Sequence, residues 1–182
     1  MMVAIKKIFL VLILSVITIS VNSQTHMKFM GITMDGNVNE FCEKLSSLGL
    51  KKDKEQLKDG VCFKGQFYGE DADFIVHYDV ETKNVYSVSV FIIKKFGFEN
   101  QTLLRDITNA LEGKYTYKKE IKCKELYQYY YYIFEGYNLI GQIDTFIIDP
   151  HIITSVKESM LSINYTDVEN YLKLEDRKSK DL

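Results

Sequence analysis

The predicted fold rests first on the segment DGNVNEFCEKLSSLG, residues 35–49. Asn37 has the residue type of a helix N-cap, and Glu40 follows at the spacing of a capping box. Gly49 stands where a helix commonly ends in the left-handed conformation. Between them, apolar residues recur at helical spacing: Val38, Phe41, Cys42, Leu45 and Leu48. The segment therefore predicts an amphipathic helix with one face against a core.

Strand-like segments follow this helix. The charged residues 51–60 are interpreted as a loop, and the next segments alternate apolar with polar side chains at 61–67, 73–80 and 86–92. Such alternation is typical of strands with one face against a core.

The same order recurs further along the chain. A second helical stripe ends at Gly113 and contains Leu103, Leu104, Ile107, Ala110 and Leu111. Strand patterns then cover 127–134, 138–148 and 160–165, while the lysine-rich residues 114–124 are interpreted as solvated loop or helix surface. We expect an α+β fold of two tandem helix-plus-three-stranded antiparallel units, about 29–95 and 98–168, with the helices packed on the sheet. The pattern also allows a short C-terminal helix through Tyr171 and Leu174, and the alternative is a single unrepeated α+β sandwich.

The first 23 residues have the pattern of a secretory signal peptide. Lys6 and Lys7 precede an apolar run at 8–19, and Val21 and Ser23 occupy the −3 and −1 positions of a cleavage site. The run is shorter than the roughly 20 apolar residues that span a bilayer. We predict cleavage before Gln24, a single α+β domain at 24–182 without a stable membrane span, and a periplasmic or extracellular location. The alternative is an uncleaved N-terminal anchor.

The charge balance and the cysteines narrow the class of protein. Removing Lys6 and Lys7 from 23 basic residues leaves 21 against 25 acidic ones, a net charge of −4. Such a chain has no basic excess to attract nucleic acid or anionic lipid. Cys42 is expected to be a buried thiol on the apolar helix face. Cys62 and Cys123 could pair, and no cysteine spacing predicts a zinc site.

Several motifs resemble a group of small, mostly uncharacterised exported proteins of Bacteroidetes. These motifs are FMGITMDG at 29–36, FKGQFYG at 63–69 and the closing Tyr165-x-Asp167-x-x-Asn170. Thr33 stands where that group is expected to have proline. The resemblance implies structural motifs without catalytic residues. The doubled helix-and-sheet pattern is also similar to the architecture of β-lactamase-inhibitor proteins and of small outer-membrane assembly lipoproteins, a likeness of fold alone.

A run of tyrosines at 127–134 is the most unusual local feature. Side chains alternate along a strand, so Tyr127, Tyr129 and Tyr131 point to one face and Tyr130 and Tyr132 to the other. Only one face covers the core of a two-layer fold, so the other set becomes a candidate contact surface for a partner. The alternative is that tyrosine simply suits a pleated, half-buried surface.

A second group of polar residues, between Glu70 and Asp79, carries carboxylates and a histidine. Glu70, Asp71, Asp73, His77 and Asp79 are residue types that bind metals or perform acid–base chemistry, but their spacing matches no known metal loop. The sequence also lacks the G-x-S-x-G, H-E-x-x-H and phosphate-loop motifs. No cofactor is predicted.

Three functions remain open at this point. The first is a non-catalytic binding module whose aromatic sheet face contacts a protein, peptide or glycan. The second is a small hydrolase or metal-dependent enzyme that uses the Glu70–Asp79 region. The third is a structural protein that maintains the cell envelope. A pocket lined by the carboxylates would favour the enzyme, and an open tyrosine-lined sheet would favour the binding module.

Overall fold

An antiparallel sheet of eight strands forms the centre of the fold. The computed structural model describes residues 26–113, 116–123, 128–148 and 158–180. Within these ranges the chain also forms a two-stranded hairpin, β1 (Lys28–Phe29) and β2 (Ile32–Thr33). The helices are α1 (Val38–Ser47), α2 (Gly97–Glu112) and α3 (Val168–Lys180). The large sheet contains β3 (Lys51–Leu57), β4 (Gly60–Phe67), β5 (Glu70–Tyr78), β6 (Val85–Lys94), β7 (Thr116–Cys123), β8 (Gln128–Glu135), β9 (Asn138–Ile148) and β10 (Ser159–Asp167).

The prediction of two tandem helix-plus-three-stranded units was wrong. Four strands follow α1 and four follow α2, and all eight join one sheet in the order β3-β4-β5-β6-β10-β9-β8-β7. The two missed strands, β3 and β7, are the edges of this sheet and correspond to the lysine-rich segments interpreted as loops or solvated surface. Edge strands pair on one side only, and lysines protect them from pairing with other chains. Because charge replaces apolar alternation in such strands, the pattern rule did not detect them.

The two sets of strands meet in the middle of the sheet. β6 and β10 pair antiparallel from Ser159–Lys94 to Thr166–Ser87. These central strands carry buried apolar residues at alternating positions: Val88, Val90, Ile92, Leu161, Ile163 and Tyr165. The core therefore lies against one face of a continuous sheet.

Helices α1 and α2 pack on this core face. The five side chains expected to be buried there are buried, none more than 6% exposed: Phe41, Leu45, Leu104, Ile107 and Leu111. Asn37 caps α1 as predicted, because its side chain accepts a hydrogen bond from the Asn39 N–H at 2.9 Å. Gly49 ends the helix with a φ of +95°, a left-handed conformation that glycine adopts without strain.

The N-terminal hairpin closes the core at one end. Met27 and Phe29 are fully buried, and the Phe29 ring packs edge-on against Tyr165 with centroids 5.0 Å apart. A Cβ atom at position 141 would overlap Met27, so Gly141 of β9 allows the chain to approach the sheet closely.

The C-terminal helix is present as α3 and is longer than the sequence indicated. Its residues include Tyr171 and Leu174, and Leu174 is buried. No helix in the described ranges has the length and apolar character needed to cross a membrane. The predicted signal peptide, residues 1–23, lies outside the described residues.

Candidate binding surface

Strand β8 divides its tyrosines between the two faces of the sheet. Tyr131 is fully buried on the core face, where its hydroxyl lies 3.0 Å from Thr108 Oγ1 of α2. Tyr129 is partly buried against the same core. Tyr130 and Tyr132 lie on the opposite face and are partly exposed. We call this second face, which points away from α1 and α2, the open face.

The strand register arranges the open face into rows of side chains. Tyr130 and Tyr132 of β8 begin two neighbouring rows that cross the sheet towards β4. The first row is Tyr130, Asp144, Asn164, Ser89, Ile75 and Cys62; the second is Tyr132, Gln142, Thr166, Ser87 and His77. Each tyrosine therefore has a planar polar side chain beside it. The sequence alone did not identify these neighbours, although their polar positions between apolar ones on β9 and β10 were a signal.

Hydrogen bonds fix the polar groups around Tyr130. Asn164 Nδ2 donates to Asp144 Oδ1 at 2.7 Å, and Gln128 Nε2 donates to the Tyr130 hydroxyl at 3.1 Å. Burial raises the pKa of the Asp144 carboxyl, and the hydrogen bond from Asn164 opposes that rise. The Tyr130 ring is thus held beside ordered polar side chains.

At the other end of these rows, His77 takes part in an aromatic cluster. Its Nε2 lies 3.1 Å from Ser89 Oγ, and its ring stacks on Tyr86 with centroids 6.1 Å apart. Tyr86 in turn contacts Tyr171 of α3 at 6.3 Å, so α3 reaches the open face here. Burial lowers the pKa of His77, and the nearby Asp59 opposes this effect.

The Glu70–Asp79 region does not assemble into one site. Glu70 forms an ion pair with Lys94, whereas Asp71 accepts a hydrogen bond from Gln66. Asp79 lies at the far end of β5, where Arg177 of α3 contacts it at 2.6 Å. Within the described ranges, no three histidine, cysteine or acidic side chains are grouped closely enough to hold a metal ion.

The Asp79 carboxylate is held by several hydrogen bonds at the turn after β5. Burial raises its pKa, but hydrogen bonds from Arg177, from the Glu81 N–H and from the Thr82 hydroxyl outweigh burial and hold the pKa below its ordinary value. Arg177 also contacts Glu81 at 2.7 Å. This ion pair ties the end of α3 to the turn between β5 and β6.

The closing Tyr165-x-Asp167-x-x-Asn170 motif also has a structural role. Tyr165 packs on Phe29, and the buried Asp167 accepts hydrogen bonds from the Met27 N–H at 2.7 Å and the Asn170 N–H at 2.9 Å. His26 Nδ1 lies 3.2 Å from the same carboxylate. The motif joins the N-terminal segment, β10 and the start of α3.

Two of the three cysteines, Cys42 and Cys62, have described side chains, and both lie away from the open-face tyrosines. Cys42 is a buried free thiol, as predicted, and burial raises its pKa to about 11 while Lys52 opposes the rise. Cys62 of β4 is half-buried on the open face. The side chain of Cys123 and the whole of Tyr127 fall outside the described residues, so the Cys62–Cys123 pairing stays open.

Comparisons with protein-family models, curated proteins and solved structures found no match for this chain. The resemblance to exported Bacteroidetes proteins therefore stays a prediction.

Proposed function

We propose that this protein is an exported, non-catalytic binding module that recognises a partner protein through the open face of its sheet. One observation carries the proposal: Tyr130 and Tyr132 lie on the face that points away from α1 and α2, while Tyr131 is used in the core. A strand that only needed apolar cover would require large side chains on its core face alone. Two further aromatic rings on the other face favour contact with a partner.

The chemistry of the surface supports a protein partner. Tyrosine contributes large, stiff and amphipathic contact area, and it is enriched where proteins bind each other. Beside Tyr130 and Tyr132, the open face presents Gln142, Asp144 and Asn164, whose amides and carboxylate hydrogen-bond peptide groups. The tyrosines stand on a broad strand surface, which suits a protein partner better than the concave sites that small ligands prefer.

The surroundings of the acidic residues favour binding over catalysis. Glu70 and Asp79 are paired with Lys94 and Arg177 on different parts of the fold. His77, the histidine of this region, contacts Ser89 and Tyr86 within the sheet surface. Because catalytic groups must converge on one reacting atom, dispersed and structurally paired carboxylates support a non-catalytic role.

Export is part of the proposal and has its own test. The basic, apolar and small-residue regions of residues 1–23 predict a mature chain that begins near Gln24. N-terminal sequencing of the protein from producing cells should give this end. A chain that retains Met1 and fractionates with the inner membrane would contradict export.

The binding surface is tested by capture from native envelope with the mature protein as bait. We expect the double variant Tyr130→Ala/Tyr132→Ala to bind the captured partner more weakly. The expected loss of binding free energy is about 2 kcal/mol or more, about 30-fold in Kd, as for a central aromatic anchor. The matched control is Tyr137→Ala, because Tyr137 is a fully exposed tyrosine in the turn after β8. Tyr130→Phe with Tyr132→Phe keeps both rings and separates ring contact from hydroxyl contact. Undiminished capture by the folded alanine variant would leave the tyrosines as sheet formers only.

A further inference from the structure

A concavity of about 630 Å³ lies at the β3 side of the open face, away from the tyrosines. Its volume falls within the roughly 300–1,000 Å³ of small-ligand sites. It is bounded by the turn from α1 into β3 and by strands β4, β5 and β6. The nearest lining strand, β6, is three strand positions from β8, about 14 Å, so the concavity does not include Tyr130 or Tyr132.

The concavity carries charges of both signs in a fixed order. The register places Lys51, Lys64 and Asp73 in one row across β3, β4 and β5. Lys64 Nζ is turned towards Asp53 of the edge strand, at 3.0 Å. Within the described part of the chain, Lys51 and Asp73 have no ion-pair partner. A cationic end and an anionic end therefore face the same space.

Apolar side chains complete the lining. Phe91 continues the same row on β6, directly beside Asp73. Ile93 of β6 and Leu48 of the α1–β3 turn are each about half exposed, at 52% and 51%. Isolated exposed apolar residues are common, but here they border the two charges within one concavity.

We propose that this concavity binds a short peptide with free termini and an apolar side chain. The peptide carboxylate meets Lys51, the peptide ammonium meets Asp73, and the apolar side chain packs on Phe91 and Ile93. Strands lie 4.7–4.9 Å apart, so Lys51 and Asp73 are separated by about 10 Å of sheet. An extended peptide of two or three residues spans about 7–10 Å, which matches this separation.

The presence of both lysines and aspartates in the concavity favours a ligand that carries both charges. A purely anionic ligand would be repelled by Asp71 and Asp73, and a purely cationic one by Lys51 and Lys64. A zwitterion satisfies both ends at once. The site does not depend on the protein-binding surface proposed for the tyrosines, so either can fail without the other.

Calorimetric titration of the mature protein with the tripeptide Leu-Ala-Ala, whose apolar side chain is on the residue that carries the free ammonium, tests the proposal. We expect saturable binding at millimolar peptide or below. N-acetylation and C-amidation of the peptide should each weaken binding about tenfold or more, because each removes one charge contact. Lys51→Met should abolish the preference for the free carboxylate, and Asp73→Asn the preference for the free ammonium.

The controls are Lys54→Met and Asp35→Asn, exposed residues that do not line the concavity. Melting curves establish that every variant is folded, and the paired tyrosine variant should bind the tripeptide like the parent. Absence of saturable binding would overturn the proposal. Equal binding of the blocked peptides, or binding that survives both Lys51→Met and Asp73→Asn, would also overturn it.

Discussion

Asn170→Ala should destabilise the protein far more than its position near the C-terminus would indicate. Asn170 is 6% exposed, and its amide nitrogen donates to the carbonyl oxygens of Met34 at 2.7 Å and Val85 at 2.9 Å. These carbonyls belong to segments that are far apart in the chain, and the amide joins both to α3. Alanine leaves two buried acceptors without this donor.

The magnitude follows from the cost of an unsatisfied buried polar group, about 1–3 kcal/mol each. For the two carbonyls we expect a loss of about 2–6 kcal/mol in the free energy of unfolding. In a chain of this size that corresponds to a fall in Tm of roughly 4–24 °C. Asn170→Asp should be worse than Asn170→Ala, because a carboxylate oxygen would then face the two carbonyl oxygens.

Urea denaturation of the mature protein measures the loss, with Tm as a second readout. Asn109→Ala is the matched control, because it makes the same substitution at an exposed position of α2. A loss below about 0.5 kcal/mol for Asn170→Ala, the range of surface substitutions, would refute the reasoning. Equal stability of the Ala and Asp variants would show that the amide is not the donor.

Further predictions concern the core, the thiol and the pH dependence. Ile107→Ala and Leu45→Ala should each cost about 2–5 kcal/mol in urea denaturation, and a surface-like loss would place those helix faces outside the core. Cys42 should resist a thiol reagent at neutral pH in the folded protein and react after denaturation, because it is buried and its pKa is raised to about 11. His77 has a lowered pKa when folded, so its contribution to stability is complete above its unfolded pKa of about 6.5 and is lost as the pH falls towards the folded value. His77→Gln should therefore flatten the loss of stability on acidification below about pH 6.5, and an unchanged pH profile would contradict this assignment.

The sequence predicted the elements whose periodicity is set by burial. Apolar residues recur at regular spacing in helix α1, helix α2 and the central strands because one side of each element contacts the core. Leu45 and Ile107 are buried, as the pattern predicted. The edge strands β3 and β7 were not predicted, because their sequences are rich in lysine and lack a clear apolar alternation. Lysines are common in edge strands, where they prevent pairing with other chains.

The candidate surface was predictable only in part. Alternation along β8 separated the two tyrosine sets, but which set entered the core depended on α2, whose Thr108 meets Tyr131. The neighbours of Tyr130 come from β9 and β10, so they follow from the strand order, which local patterns do not contain. The placement of Lys51 and Asp73 in one row also could not be predicted, because it depends on the edge strand β3, which the pattern did not indicate.

Tyrosine nitration of the mature protein, mapped by mass spectrometry, tests the central claim most directly. The fully exposed Tyr137 serves as an internal reference. We expect Tyr130 and Tyr132 to be modified, more slowly than Tyr137 because they are partly buried, and Tyr131 to stay unmodified until the protein unfolds. Nitration of Tyr131 at the rate of Tyr137, with Tyr130 and Tyr132 protected, would contradict the account of the open face.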